Sequence, residues 1–557
     1  MNDLNKDLDK KLLKYLDSKQ FERLQFEVDM IGNIEDQSPQ IKFYYASSIY
    51  LKETSKKEEL LLALNLFADV YEKSNHLQSL YNMIAVSFKI RAFKKALKLA
   101  NKEFEKNKED SMLIEGLARI NFYLGNRKES ITYFKLLYKL LPEKTGGRLP
   151  FISSLNYTSG FYQEDYMEAC LKYAKVIEKK LEIHKDPFSF KENYNEKIKL
   201  FFLSADFKTH SVTHFLLDLI KNIDRSIFEI NLVCNLKISD QDSSTENLKN
   251  LSNNWYDVEH YTDGELVKLL RSLNIDVLFD LSGFTQGNRF EILARRCAKL
   301  QIVWLGYNNS LGIENSDYII SDKNLIKEDE YSKYKEKILF MPSIWNALSL
   351  PKSLPEIQNN QDQDCFTFCS FNNFQKLSDR TIDVWSKILT KTNSKILLKD
   401  SLSGGEELKE NIINKFKKNG VQFEQLIFIN YENEIIDHLK HYNKAEAALD
   451  TFPYPGVTTS FEAILMGLPV LTMKGFNMNS RCGESINKNL GMNNLIAEDD
   501  KDYINKAISL THDEEFKKKY GLKLRNKAIS SPLFDTKSFC KNFEILIKKA
   551  INENKYL

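Results

Sequence analysis

The chain reads as an α + α/β protein, with helical repeats at its N-terminus followed by two doubly wound, Rossmann-like domains. Three observations predict this. Residues 1–142 place Leu, Ala and aromatic residues at helical spacing among Lys and Glu, with no strand-like alternation. Small and aromatic residues recur there at intervals of 33 and 34 residues. From Ile198 onward, short apolar runs alternate with helical patterns in two successive series, separated by the polar run Glu356–Asp364. At 557 residues the chain is in any case too long for one core.

The repeat is carried by Ala63 and Phe67, then Ala96 and Ala100, then Ser130 and Phe134. In the last copy Leu117, Ala118, Gly125, Ser130, Phe134 and Pro142 fall where a tetratricopeptide repeat needs small residues for close helix packing. Two or three such repeats are expected, with a degenerate one before them; a plain helical bundle is the alternative. Stacked repeats offer a concave face, and the usual occupant is a protein or peptide. Residues 143–196 read as a helical linker, in which Lys144-Thr145-Gly146-Gly147 breaks the pattern, Gln163 to Lys180 forms a helix and His184 to Glu196 is polar.

Residues 197–355 form the first α/β domain. Its expected strands are Ile198–Leu203, Phe228–Cys234, Asp276–Asp280, Gln301–Leu305 and Asp317–Ile320, with helices near Phe215–Lys221 and Asp263–Leu273. Residues 356–557 form the second, with strands at Cys365–Ser370, Lys395–Leu398, Leu426–Ile429, Ala447–Leu449 and Pro469–Thr472. Two such domains in tandem face their strand ends across a cleft, where doubly wound sheets bind ligands. Neither has a GxGxxG after its first strand, which argues against a dinucleotide.

One stretch of the second domain is chemically informative. After the strand at Ala447–Leu449, Phe452-Pro453-Tyr454-Pro455-Gly456 must be a loop, and Thr458 or Thr459 can open a helix that Gly467-Leu468-Pro469 ends. A helix entered from a loop offers free N–H groups and a positive dipole end to an anion. Thr459 and Glu462 also have the spacing of an ordinary capping box.

Composition bounds the function. Hydrophobic residues are 42% and charged residues 28%, and the formal net charge is +2, so nothing points to nucleic acid or a membrane surface as partner. Seven cysteines, mostly in apolar surroundings and without a second CxxxC pair beside Cys365 and Cys369, suggest a reducing compartment and no zinc site. The N-terminus has no apolar signal core, and a cytoplasmic location is expected. Asp240-Gln241-Asp242 and Asp362-Gln363-Asp364 lie in polar runs and read as solvated loops, so no metal and no other cofactor is expected.

Six blocks are familiar as an ordered set: LSADFKTHSVTHF (203–215), DLSGFTQGNRFEILARR (280–296), QIVWLGYNNSLGIENSDYIISD (301–322), SFNNFQKLSDRTIDVWSKIL (370–389), residues 438–473 and ISSPLF (529–534). In order and spacing they resemble the O-linked N-acetylglucosaminyltransferase family, including its Spindly-like members. The resemblance implies tetratricopeptide repeats before a B-type glycosyltransferase fold. It also implies an inverting enzyme that moves a sugar, N-acetylglucosamine from its UDP donor being the first expectation, onto protein Ser or Thr. A protein N-glucosyltransferase or fucosyltransferase of the same fold, or an inactive repeat adaptor, are the alternatives.

Carried over residue by residue, the resemblance makes His210 an active-site histidine and Lys376 the lysine on the donor diphosphate. Thr458 and Thr459 then hold the diphosphate at the helix start, Asn373 lies at a neighbouring donor contact, His438 beside the uracil and Glu462 on the ribose. On the residues alone, a solvated lysine opening a helix is the alternative for Lys376, and an ordinary loop histidine the alternative for His210. Several positions depart from the family pattern: Ser211 for a proline, Asn373 for a glutamine, Val457 for a histidine, Ile435 for a lysine, and Cys297 and Lys299 within an RPAP-like segment.

Overall fold

The structure, a computed structural model, describes residues 2–144, 147–186, 188–190, 197–358, 365–399, 405–432, 434–512 and 520–554. It divides into two compact units, Met1–Ser154 with Ser401–Ile412, and Leu155–Asp400 with Ile413–Leu557.

The first unit is helical: α1 (Asn2–Asp17), α2 (Phe21–Met30), α3 (Pro39–Leu51), α4 (Lys57–Ser74), α5 (Leu77–Ile90), α6 (Lys94–Phe104), α7 (Ser111–Tyr123) and α8 (Arg127–Leu140). The recurrent residues sit on the second helix of each pair. Ala63 and Phe67 on α4, Ala96 and Ala100 on α6, and Ser130 and Phe134 on α8 are all fully buried. Ser130 is tolerated there because its hydroxyl donates to the Ala118 carbonyl at 2.8 Å. Gly125 turns the chain between α7 and α8 at φ +75, a left-handed conformation that suits glycine. The N-terminus of α6 has no capping side chain of its own. Glu407, from the 401–412 segment of this unit, supplies one by accepting from the N–H groups of Phe93 (2.5 Å) and Lys94 (2.9 Å).

The second unit holds two wholly parallel sheets. Seven strands form the first, β1 (Ile198–Ser204), β2 (Phe228–Cys234), β3 (Asn254–Asp257), β4 (Ile275–Asp280), β5 (Ala298–Val303), β6 (Tyr318–Asp322) and β7 (Lys337–Met341), ordered β3-β2-β1-β4-β5-β6-β7. Six form the second, β8 (Thr367–Ser370), β9 (Lys395–Lys399), β10 (Leu426–Ile429), β11 (Ala447–Leu449), β12 (Val470–Met473) and β13 (Ile496–Ala497), ordered β10-β9-β8-β11-β12-β13. Both orders reverse after the first strand of the sheet, at β1/β4 and at β8/β11. Such a switch point opens a crevice beyond the carboxyl ends of the strands. Central strands are apolar along their length because helices cover both faces; Leu200 to Leu203 of β1 are all buried.

The linker contains the expected helix Gln163–Lys180 and a further one, Arg148–Asn156. Thr145, Gly146 and most of the stretch from His184 to Glu196 lie outside the described residues. All seven cysteines are free thiols, and among the described residues no helix is long and apolar enough to cross a membrane.

Candidate active site

The β8/β11 switch point gathers most of the expected site. Directly after β11 comes Asp450, a buried carboxylate that clamps the following loop. Its Oδ1 accepts from the N–H groups of Thr451 (2.9 Å) and Gly456 (2.6 Å), and its Oδ2 from the Thr472 hydroxyl (2.8 Å). Burial pushes its pKa up to about 6, against the pull of those donors and of Lys376. Gly456 has no room for a side chain: a Cβ there would lie 2.5 Å from Thr459 Oγ1 and 2.9 Å from Asn372 Oδ1. The helix then runs from Thr458 to Leu465.

Its N-cap position is Val457, whose side chain cannot accept a hydrogen bond, so the first turn enters the crevice without a capping side chain. The capping box open to Thr459 and Glu462 in the sequence does not form. Thr459 Oγ1 donates instead to Asn372 Oδ1 at 3.1 Å, which ties the helix start to the loop after β8.

Lys376 closes the short turn Phe374–Lys376, which Asn373 caps by accepting from the Gln375 N–H at 2.9 Å. The next helix starts only at Asp379, with Ser378 as its N-cap, so Lys376 is not a solvated residue of an opening helical turn. The side chain is half-buried, and its Nζ donates to the Pro455 carbonyl at 2.8 Å. It also lies 4.4 Å from the Tyr454 ring centroid, and Tyr454 stacks on Tyr157 at 4.6 Å. Among the described residues no carboxylate pairs with this ammonium. Burial lowers its pKa to about 8, opposed by Asp450.

His438 and Glu462 are buried and bonded to each other, Nε2 to Oε2 at 3.0 Å. Tyr442 donates to the same oxygen at 3.1 Å, and Lys399, the last residue of β9, meets His438 Nδ1 at 3.0 Å. Burial pushes the Glu462 carboxyl up, but its bond with His438, the Lys399 charge and the Tyr442 bond more than reverse this and hold it below the ordinary glutamate range.

His210 stands on the other sheet, in the loop after β1. It is the N-cap of the helix Ser211–Asn222, its Nδ1 accepting from the Val212 N–H at 3.3 Å, with Asp206 Oδ2 3.9 Å away. The imidazole is exposed, yet the protein around it lowers its pKa, with Asp206 pulling the other way. One turn on, His214 is lowered by burial and raised by Glu462. This helix packs on the one beginning at Thr458, Phe215 meeting Phe461 edge-on at 5.3 Å.

The family model for glycosyl transferase family 41 matches residues 162–348 and 353–543. The chain belongs to glycosyl transferase family 41. Its relatives include the probable UDP-N-acetylglucosamine–peptide N-acetylglucosaminyltransferases SPINDLY of Eustoma exaltatum subsp. russellianum, 29% identical over 52% of this chain and 32% of that protein, and of Oryza sativa subsp. japonica, 28% identical over 62% and 38%. The family 41 chain thus spans about a third of the length of the curated relatives it matches. Among solved structures, a lysine-to-methionine mutant of the Thermobaculum terrenum O-GlcNAc transferase superposes with a TM-score of 0.79 at 23% identity, covering 93% of this chain and 99% of that one, and so shares its fold.

Three features of this family 41 site went unread in the sequence. Asp450 and Asn372 are loop residues that act through backbone and hydroxyl groups; a buried Asp at the carboxyl end of a parallel strand was the available signal. The two sheets are also joined by a buried ion pair. Arg481 reaches Glu330 with both terminal guanidinium nitrogens, Nη2 to Oε1 at 2.7 Å, and donates to the carbonyls of Leu325 (2.9 Å) and, through Nε, Gly475 (3.2 Å). Beside it, Ser485 donates to Asp322 Oδ2 at 2.7 Å. Finally, Asp242 is not a solvated loop residue. It caps the helix Ser243–Leu251 and accepts from the N–H groups of Ser244, Thr245 and Thr209. The triplet Asp362-Gln363-Asp364 lies outside the described residues.

Proposed function

We propose that this chain is an inverting glycosyltransferase that moves N-acetylglucosamine from UDP-N-acetylglucosamine to serine or threonine of proteins selected by its helical repeats. The observation that carries this reading is the Lys376 ammonium. It sits beside the loop that feeds an uncapped helix start, held by a carbonyl and an aromatic face rather than by a carboxylate. That arrangement suits a group that is anionic when it binds and more anionic when it leaves.

In this reading the diphosphate lies on Lys376 and on the first-turn N–H groups of Thr458 and Thr459. The acceptor hydroxyl attacks the anomeric carbon from the face opposite the diphosphate. The new C–O bond forms as the sugar–phosphate bond breaks, the diphosphate keeps the electron pair and the hydroxyl proton passes to solvent water. Lys376 stabilises the growing charge, which is catalysis by differential binding of the transition state. His210 touches the acceptor side. With Nδ1 accepting from the Val212 N–H, the neutral ring carries its proton on Nε2 and presents a donor there. It therefore serves first to orient a substrate oxygen. His438 and Glu462 take the nucleoside, and Asn373, exposed at its turn, borders the donor.

The donor is supported by the activity for which the relatives are named, and metal independence by the use of the Asp242 carboxylate as a helix cap. Calorimetry with UDP-N-acetylglucosamine, UDP-glucose and GDP-fucose, followed by UDP or GDP release with and without EDTA, tests both. UDP-N-acetylglucosamine should be preferred and EDTA without effect. Preference for GDP-fucose, or a strict manganese requirement, overturns the donor or the metal-free mechanism respectively.

A further inference from the structure

His438 lies between two charged groups, and one of them restricts what the ring can be. A lysine ammonium has three donors and no acceptor. Lys399 Nζ, 3.0 Å from His438 Nδ1, must therefore donate to it, and Nδ1 must be the bare nitrogen of the ring. The ring proton then sits on Nε2, where the Glu462 carboxylate 3.0 Å away accepts it. The chain of groups is closed at its far end by Tyr442, whose hydroxyl donates to the same Glu462 oxygen at 3.1 Å. Both bonds fall on Oε2, and Glu462 Oε1 accepts none among the described residues.

We propose that Lys399 is a positioning residue of the nucleotide subsite: it locks His438 as the neutral Nε2–H tautomer and thereby turns Glu462 so that Oε1 is left to accept from the vicinal hydroxyls of a ribonucleoside diphosphate. The inference rests on the donor reading above. Several features of the site fit this role. Lys399 ends β9, next to β8 in the sheet, so its ammonium is delivered from the strand end rather than from a free loop. Its position is further defined by the Tyr431 ring, 5.0 Å from Nζ. Burial lowers the pKa of this ammonium, and the charges of Glu462 and Glu432 pull the other way. His438 is packed between Phe371 and Tyr442, each with its ring centroid 5.6 Å away, so a ring turned through 180° would stay in the same slot. Packing alone does not choose which nitrogen faces Glu462; the lysine does. With the opposite tautomer, Nε2 would meet the carboxylate as an acceptor facing an acceptor, and Glu462 would have to swing away from the ring.

The test uses the full chain with UDP and 2′-deoxy-UDP as probes, and imidazole ¹⁵N NMR of His438 without nucleotide. Wild type should show the Nε2–H tautomer. It should bind UDP about tenfold more tightly than 2′-deoxy-UDP, the usual weight of one hydrogen bond to a charged group. Lys399→Met should spread the ring over both tautomers, weaken UDP about tenfold and bring the two nucleotides to within about twofold of each other. Lys399→Arg, which also only donates, should restore the wild-type tautomer and the preference for UDP. An unchanged His438 spectrum in Lys399→Met, or a preference for UDP that survives the loss of the lock, overturns the inference. A wild-type chain that shows the lock and binds UDP but transfers no sugar leaves the inference standing and overturns the transferase reading instead.

Discussion

Replacing Lys376 with methionine keeps the length of the side chain and removes its charge. Burial lowers the pKa of the ammonium to about 8, so the charged form still predominates at pH 7. At a contact distance of about 4 Å and an effective dielectric of about 20, one unit charge on a diphosphate oxygen interacts with it by about 4 kcal/mol. Part of this is already present when the donor binds, and the part that matters for rate is the charge added as the sugar departs. The helix start at Thr458 contributes only about 0.3–1 kcal/mol through its dipole at an exposed site. Loss of one positioned donor to a developing oxyanion costs about 2.7–4 kcal/mol, or about 10²–10³ in kcat, and Lys376→Met should fall in that range. The pH profile gives a second signature. A lysine with a depressed pKa loses its charge as pH rises through about 8, so kcat/KM of the wild type should fall on that limb and the limb should vanish in the mutant. The assay is single-turnover transfer at saturating donor, beside UDP calorimetry. If UDP binding collapses while saturated turnover is unchanged, Lys376 only anchors the ground state and the leaving-group argument is refuted.

Further outcomes follow from other parts of the molecule. His210→Ala should lower turnover by roughly 10²–10⁴-fold if the ring takes the acceptor proton, whereas His210→Asn, which can still cap the helix and donate, should recover to within about tenfold if the ring only orients an oxygen; steady-state rates of the two variants separate the roles. Arg481→Met strands the buried Glu330 and should cost about 3–5 kcal/mol, read as an early unfolding transition in denaturant, and a variant as stable as the wild type would contradict the account of that junction. Removing residues 1–142 should abolish transfer to proteins while slow donor hydrolysis continues, and normal protein glycosylation by the truncated chain would remove the repeats from acceptor selection.

The sequence carried the architecture where burial wrote it plainly. β2, β10 and β11 are short apolar runs between turn residues, and they form with the expected bounds. β3 (Asn254–Asp257) is a four-residue edge strand with a polar residue at each end, and β13 is only two residues long, so neither leaves an apolar run to find. The helix Arg148–Asn156 has almost no one-sided apolar pattern and carries Pro150 in its first turn, so periodicity could not reveal it. At the site, the loop from Phe452 to Gly456 and the helix after it were legible because proline and glycine dictate them. The bond between His438 and Glu462 was not. These residues lie 24 apart in sequence and are brought together by the strand order rather than by local spacing. The same holds for Arg481 and Glu330, 151 residues apart, and for Lys399, which lies one residue beyond the expected strand Lys395–Leu398.

Sugar transfer to protein is read by incubating the full chain with UDP-N-acetylglucosamine and a protein lysate and mapping modified peptides by mass spectrometry, with Lys376→Met as the control. The wild type should place N-acetylhexosamine on serine or threonine, and the mutant about 10²–10³-fold less. Unmodified peptides under wild-type conditions that demonstrably bind UDP, or equal modification by the mutant, would contradict this reading.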